Sequence, residues 1–139
     1  GGCVPNVAID LKKISSETDV FALGKIGNDS EGKFLTEILN KNGVDVSGIL
    51  IDETKKTTFT DVMSISGGQR TFFTYLGADS ELSACDIDFE KNIPQILHLG
   101  YFLLLDKVDN GEGIKILKKA KELGVPILTE EVFLALIEG

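Results

Sequence analysis

The chain has 139 residues, 42% of them apolar and 26% charged, with 15 glycines and 3 prolines spread along it, the make-up of one ordinary globular domain and not of a disordered segment. Its 22 acidic and 14 basic residues give a net charge of -8, which repels phosphate backbones and argues against nucleic acid as a partner while leaving small phosphorylated ligands open. No stretch approaches the roughly 18 consecutive apolar residues of a membrane helix, and no basic segment leads into an apolar one, so no membrane partner is expected.

Val7, Leu11 and Ile14 fall at helical spacing behind Pro5, whose missing N–H suits a first turn, so a glycine-rich loop is expected to feed a helix over residues 5–14. Residues 20–24 form a short, nearly continuous apolar run, the pattern of a strand covered on both faces. Asn28, Asp29 and Ser30 then offer caps to a helix whose stripe is Phe34, Leu35, Ile38 and Leu39 and which stops at Asn42-Gly43. Ile49-Leu-Ile51 reads as another buried strand. Residues 57–66 and 70–76, rich in Thr, Phe and Val and joined through Gly67-Gly68, read as a hairpin whose alternation predicts one face turned to water or a ligand.

Residues 83–92 are polar with scattered apolar positions. Residues 96–99 predict a buried strand, residues 113–123 a helix with Ile114, Leu117 and Ala120 inward and Gly124 as its stop, residues 125–128 a further strand, and residues 130–139 the start of another helix. Strands alternating with helices predict an α/β fold, a Rossmann-like three-layer core on a parallel sheet formed by residues 1–56 and 77–139, from which the hairpin of residues 57–76 protrudes.

Cys3 and Cys85 lie in unlike contexts without CxxC spacing, which predicts reduced thiols and a cytoplasmic setting. With His98 as the only histidine, set in the apolar run Ile96-Leu-His-Leu99 as an ordinary strand residue, no zinc site and no metal ligands are expected. Gly27-Asn-Asp-Ser-Glu-Gly32-Lys33-Phe34 has the spacing of a phosphate-cradling loop between strand and helix. Phe34 nevertheless stands where a hydroxyl would hold magnesium, and Asp29 and Glu31 bring negative charge to an anion seat, so the reading is a capped helix start.

The opening Gly1-Gly2-Cys3-Val4-Pro5-Asn6-Val7-Ala8 puts two glycines where backbone can approach a ligand and an amide at a helix entry, where Asn6 either meets adjacent sugar hydroxyls or caps the helix. With Leu23-Gly-Lys-Ile-Gly-Asn-Asp-Ser-Glu-Gly32, Asn42-Gly-Val-Asp-Val46, Thr58-Phe-Thr-Asp-Val62, Gly68-Gln-Arg-Thr-Phe72, Tyr75-Leu-Gly-Ala78 and Ile96-Leu-His-Leu-Gly100, in this order, the chain resembles the pfkB, or ribokinase-like, carbohydrate kinases along nearly all its length. Val4, where a small residue is usual, and Asp79, where many members have Asn, depart from the pattern.

The resemblance implies transfer of the ATP γ-phosphoryl group to a sugar hydroxyl, with Gly1, Gly2 and Asn6 binding the sugar and the hairpin closing over it as a lid that pairs with the lid of a second subunit in a homodimer. The family's Gly-x-Gly-Asp turn, which carries the proton acceptor and the anion hole, is not in these 139 residues, nor is the acidic residue of its first strand. The expectation is therefore the sugar-side half of a kinase: the complete enzyme uses ATP and Mg2+, while this chain alone binds neither and does not catalyse transfer. A nucleoside kinase of the same family and a non-catalytic sugar-binding or dimerisation module are the alternatives. On the lid, Arg70, the chain's one arginine, either contacts the substrate or is an exposed charge, and Asp61 faces either sugar or solvent. Phe72, Phe73 and Tyr75 read as lid and dimer packing, and Leu76, where acid-sugar kinases of the family carry an arginine, leans to a neutral substrate.

Overall fold

The computed structural model describes residues 2–91, 93–100 and 105–129. Gly1 and the helix expected over residues 130–139 lie outside them. The elements follow as α1 (Cys3–Ile14), β1 (Phe21–Gly27), α2 (Ser30–Lys41), β2 (Asp45–Asp52), β3 (Phe59–Ser64), β4 (Arg70–Tyr75), two 3-10 turns (Ala78–Glu81 and Ala84–Asp86), β5 (Leu97–Leu99), α3 (Gly113–Glu122) and β6 (Ile127–Thr129).

β1 pairs with β2 in parallel, and β5 with β6 likewise, each pair joined through a helix, while β3 and β4 form the antiparallel hairpin. The α/β reading therefore holds, although among the described residues the strands pair only two by two. Two apolar cores lie beneath the two βαβ units. Ala8, Ala22, Leu39 and Val44 fill the first, and Leu82, Phe89, Leu97, Val108, Ile116, Ala120 and Val125 the second.

Ile51 and Ile96, in runs read as buried strands, are 58% and 57% exposed, and three helical inward faces also differ from those expected. In α1 the buried residue is Ala8, with Val4 and Ile9 packed beside it, while Leu11 is 43% and Ile14 83% exposed. The helix starts at Cys3 and packs on β1 and α2, burying Ala8 near its middle while its last turn, with Ile14, is exposed. Phe34, at 62% exposure, stands off the α2 stripe that Leu35 and Leu39 continue. In α3 Ile114 is 59% exposed and Ile116 1%, so the buried row is Gly113, Ile116 and Ala120, spaced three and then four apart as one helical face requires. The widened turn Val108–Glu112, interrupted at Asn110 and Gly111 (φ +113°), leads into that row.

Candidate functional site

In open α/β folds ligands gather outside the carboxyl ends of the parallel strands, here Gly27 of β1, Asp52 of β2 and Leu99 of β5. The start of α1 reaches that rim. A Cβ on Gly100, just past β5, would stand 2.7 Å from Cys3 Sγ and 3.3 Å from Cys3 Cβ, so the Cys3 side chain rests against the backbone of a residue with no side chain of its own. Gly2 is the N-cap of α1 at φ +107°, a left-handed conformation that suits glycine, and it uses no side-chain cap. Asn6 therefore does not cap the helix. It lies one turn inside, exposed, and its N–H donates to Gly2 O at 3.3 Å, so Gly2 and Asn6 sit one turn apart on the same face.

The hairpin leaves the core from the same rim. Gly27 passes so close under the entering chain that a Cβ there would lie 2.5 Å from Lys55 O and 2.6 Å from Thr57 N. The two feet are tied to each other: Gly77 N and Asp79 N donate to Thr58 Oγ1 at 3.1 and 3.4 Å, and Ala78 N to Lys56 O at 2.8 Å. The entering foot is also tied to the core through Asp29. This carboxylate caps α2 by accepting Gly32 N–H at 2.9 Å, and it accepts Thr57 N–H at 2.8 Å and the Thr57 hydroxyl at 2.6 Å. Thr57 Oγ1 in turn accepts Gly27 N–H at 3.0 Å. The hydroxyl and amide of Thr57, then the amide of Gly32, hold the Asp29 carboxyl below its ordinary value. The phosphate-loop spacing of residues 27–33 thus ends as a capped helix start, its Gly32 amide taken by the chain's own Asp29 carboxylate.

Charges brace the returning foot. Glu81 lies between Lys107, whose Nζ is 2.7 Å from Oε2, and Lys55; these two partners lower its carboxyl to about 2. Lys25, on β1, pairs with Asp86 at 3.2 Å. Asp79, the departure noted in the sequence, is half-buried against Lys25 N at 3.4 Å, and burial pushes its carboxyl up.

Pairing register decides which hairpin residues share a face. Phe59 opposes Tyr75, Asp61 opposes Phe73 and Met63 opposes Thr71, and alternation puts these six on one side. Thr60 with Thr74, Val62 with Phe72 and Ser64 with Arg70 form the other. Side-chain contacts agree: the Phe59 and Tyr75 rings stack at 5.5 Å, Thr60 and Thr74 share a hydroxyl hydrogen bond at 3.0 Å, and the Arg70 guanidinium lies 6.0 Å from the Phe72 ring. Asp61 and Arg70, both considered for substrate contact, are therefore on opposite faces, with Arg70 at the end next to the turn. The sequence reading missed the Asp29–Thr57 tie and the Glu81 clamp, whose partners stand 28 and 26 residues apart. The doubled Thr57-Thr58 at the hairpin entrance is the one signal that marks the first of them.

A family description, the pfkB family carbohydrate kinases, matches residues 1–135. This chain belongs to that family. Fructokinase-2 of Oryza sativa subsp. japonica is 28% identical over 128 residues, which cover 90% of this chain and 38% of the rice protein. Probable fructokinase-3 of Arabidopsis thaliana is 33% identical over 127 residues, 89% of this chain and 36% of that protein. Among solved structures, an uncharacterized sugar kinase from Pyrococcus horikoshii superposes with TM-score 0.80 at 28% identity, covering 93% of this chain and 44% of that one, and the same kinase has been solved in complex with ATP. Fructokinase from Halothermothrix orenii gives TM-score 0.79 at 25% identity, covering 93% of this chain and 45% of that one. This pfkB chain thus spans less than half the length of the relatives it matches, and it has their ribokinase-like α/β fold.

Proposed function

We propose that this pfkB chain is the sugar-binding side and lid of a kinase that transfers the γ-phosphoryl group of ATP, with Mg2+, to a hydroxyl of a neutral sugar. The observation that carries the reading is the rooting of the hairpin at the carboxyl ends of β1 and β2, the rim where the Gly2–Asn6 turn of α1 also arrives. In this reading the glycine backbone at Gly1 and Gly2 and the amide of Asn6 hold adjacent hydroxyls, and the hairpin excludes water from the reacting oxygen so that ATP is not spent on hydrolysis.

The fructokinase relatives support a sugar as acceptor, and the ATP complex of the Pyrococcus kinase supports ATP as donor. Large apolar side chains on both hairpin faces, among them Phe59 at 49%, Phe72 at 58% and Phe73 at 55% exposure, support a homodimer joined through the lids. The proton acceptor and the nucleotide pocket lie outside these 139 residues in this proposal, so the chain binds sugar without turning it over.

Melting curves of the chain with fructose, other neutral sugars and nucleosides, each with and without Mg-ATP, test it, because a ligand that binds only the folded state raises the midpoint. A rise with a neutral sugar and none with Mg-ATP alone is the expected result. A rise with Mg-ATP alone, or none with any sugar, overturns the reading.

A further inference from the structure

All twelve residues of β3 and β4 are exposed, so no side chain between Phe59 and Tyr75 fixes the hairpin's direction from within the core. Its orientation is set by its two feet. The returning foot is tied to the entering one through Thr58 and Lys56, and just past them it is held to the core, where Asp79 accepts Lys25 N–H at 3.4 Å, Glu81 pairs with Lys107 and Ala78 is fully buried. The entering foot has a tie of another kind: Thr57, 8% exposed, donates both its amide and its hydroxyl to a carboxylate that belongs to the β1–α2 loop.

We propose that Asp29 is a positioning residue of the lid, the fixed point of its entering foot, and that its capping of α2 is a separable second task. Gly27 and Gly32 keep this point compact. A Cβ on Gly32 would lie 2.4 Å from Gly27 O and 2.9 Å from Thr57 Oγ1, so the loop cannot thicken without pushing Thr57 off the carboxylate. A hydrogen bond to an ionised acceptor is stronger than a neutral one, and Asp29 makes two of them to a single residue at that foot. The functional part of the inference rests on reading residues 57–76 as a substrate lid. The mechanical part does not.

Amide hydrogen exchange of the chain, with and without saturating fructose, separates the two. Asp29→Ser keeps a short oxygen that caps α2 but cannot span to Thr57. It is expected to speed exchange at Thr57, whose amide bonds to Asp29, and at Gly27, whose amide bonds to Thr57 Oγ1, by about tenfold or more while α2 amides such as that of Leu39 stay within about twofold of the parent. Thr57→Val, which loses the hydroxyl bond, shows a smaller rise at the same amides, and Thr57→Ser, which keeps it, restores parental exchange. Equal acceleration in α2 and the lid feet, or no acceleration at the feet, overturns Asp29 as a lid anchor. Slower exchange at the feet and hairpin of the parent chain on adding fructose supports the lid reading. Unchanged exchange there contradicts the lid reading and leaves the anchor result standing on its own.

Discussion

The parallel pair β1–β2 and the hairpin β3–β4 are both two-stranded, yet they are held by different physics. β1 buries Ala22, Ile26 and Gly27 and lies against α1 and α2, whereas every strand residue of the hairpin faces solvent. The first is stabilised by apolar burial. The second relies on its backbone ladder, cross-strand side-chain pairs and two anchored feet, and a free two-stranded hairpin is marginal in water. A segment of that kind can change its angle without disturbing a core, which a lid requires.

Truncation is the sharpest way to break the comparison. Leu39→Ala, at a side chain 1% exposed in the first core, is expected to cost about 2–5 kcal/mol, against less than about 1 kcal/mol for Phe72→Ala on the hairpin, both read by urea denaturation. If Phe72→Ala costs as much as Leu39→Ala, the hairpin is packed and the contrast fails. Glycine substitutions divide the hairpin itself. Gly77→Ala would set a Cβ 2.1 Å from Lys56 O in the braced foot, an overlap with backbone expected to cost about 3 kcal/mol. Gly67→Ala at the tip meets no atom within 4 Å and costs only the strain of φ +118°, about 1–2 kcal/mol. The ranking of the two, measured by the same unfolding curves, is what matters.

Acid probes the foot more gently. Glu81 titrates at about 2 when folded against an ordinary 4.5, so its contribution is complete above about pH 4.5 and is lost as pH falls toward 2. Denaturation midpoints between pH 6 and 3 are expected to fall less steeply in Glu81→Gln than in the parent, since the variant has no carboxylate to protonate between Lys55 and Lys107. An identical slope would mean that the clamp does not brace the foot. The smallest effect on stability is expected for Asp61→Asn and Arg70→Gln, each within about 0.5 kcal/mol at these exposed positions. Their use is in sugar titrations: opposite faces mean that one substitution shifts affinity and the other leaves it alone. Equal losses would contradict the faces assigned by the strand register.

Much of this contrast was legible in the sequence. The Thr- and Phe-rich alternation around Gly67-Gly68 marked the hairpin, and the apolar runs marked β1, β2, β5 and β6, because short-range pattern suffices for elements whose own residues set their period. Facing was less legible. Ile114 and Ile116 are equally apolar, and it is packing in the second core, with residues such as Phe89 and Leu97 from elsewhere in the chain, that takes Ile116 inward. Asp29 was legible as a cap, a local bond to Gly32 three residues on, but its bonds to Thr57 exist only because β2 runs parallel to β1 and delivers the hairpin entrance to the same rim. Asp61 and Arg70 were legible as the hairpin's charges, but their separation required the register.

The most direct test of the central claim is a distance between lid tip and core. Spin labels at Ser66→Cys, beside the turn, and Glu37→Cys, on the exposed side of α2, with Cys3 and Cys85 changed to serine, would be read by pulsed electron–electron resonance with and without saturating fructose. The expected result is a broad distance distribution in the free chain that narrows and shifts when sugar binds, with Asp29→Ser broader than the parent in the free state. A distribution that stays the same on binding a sugar that also raises the melting midpoint would contradict the hairpin's role as a lid.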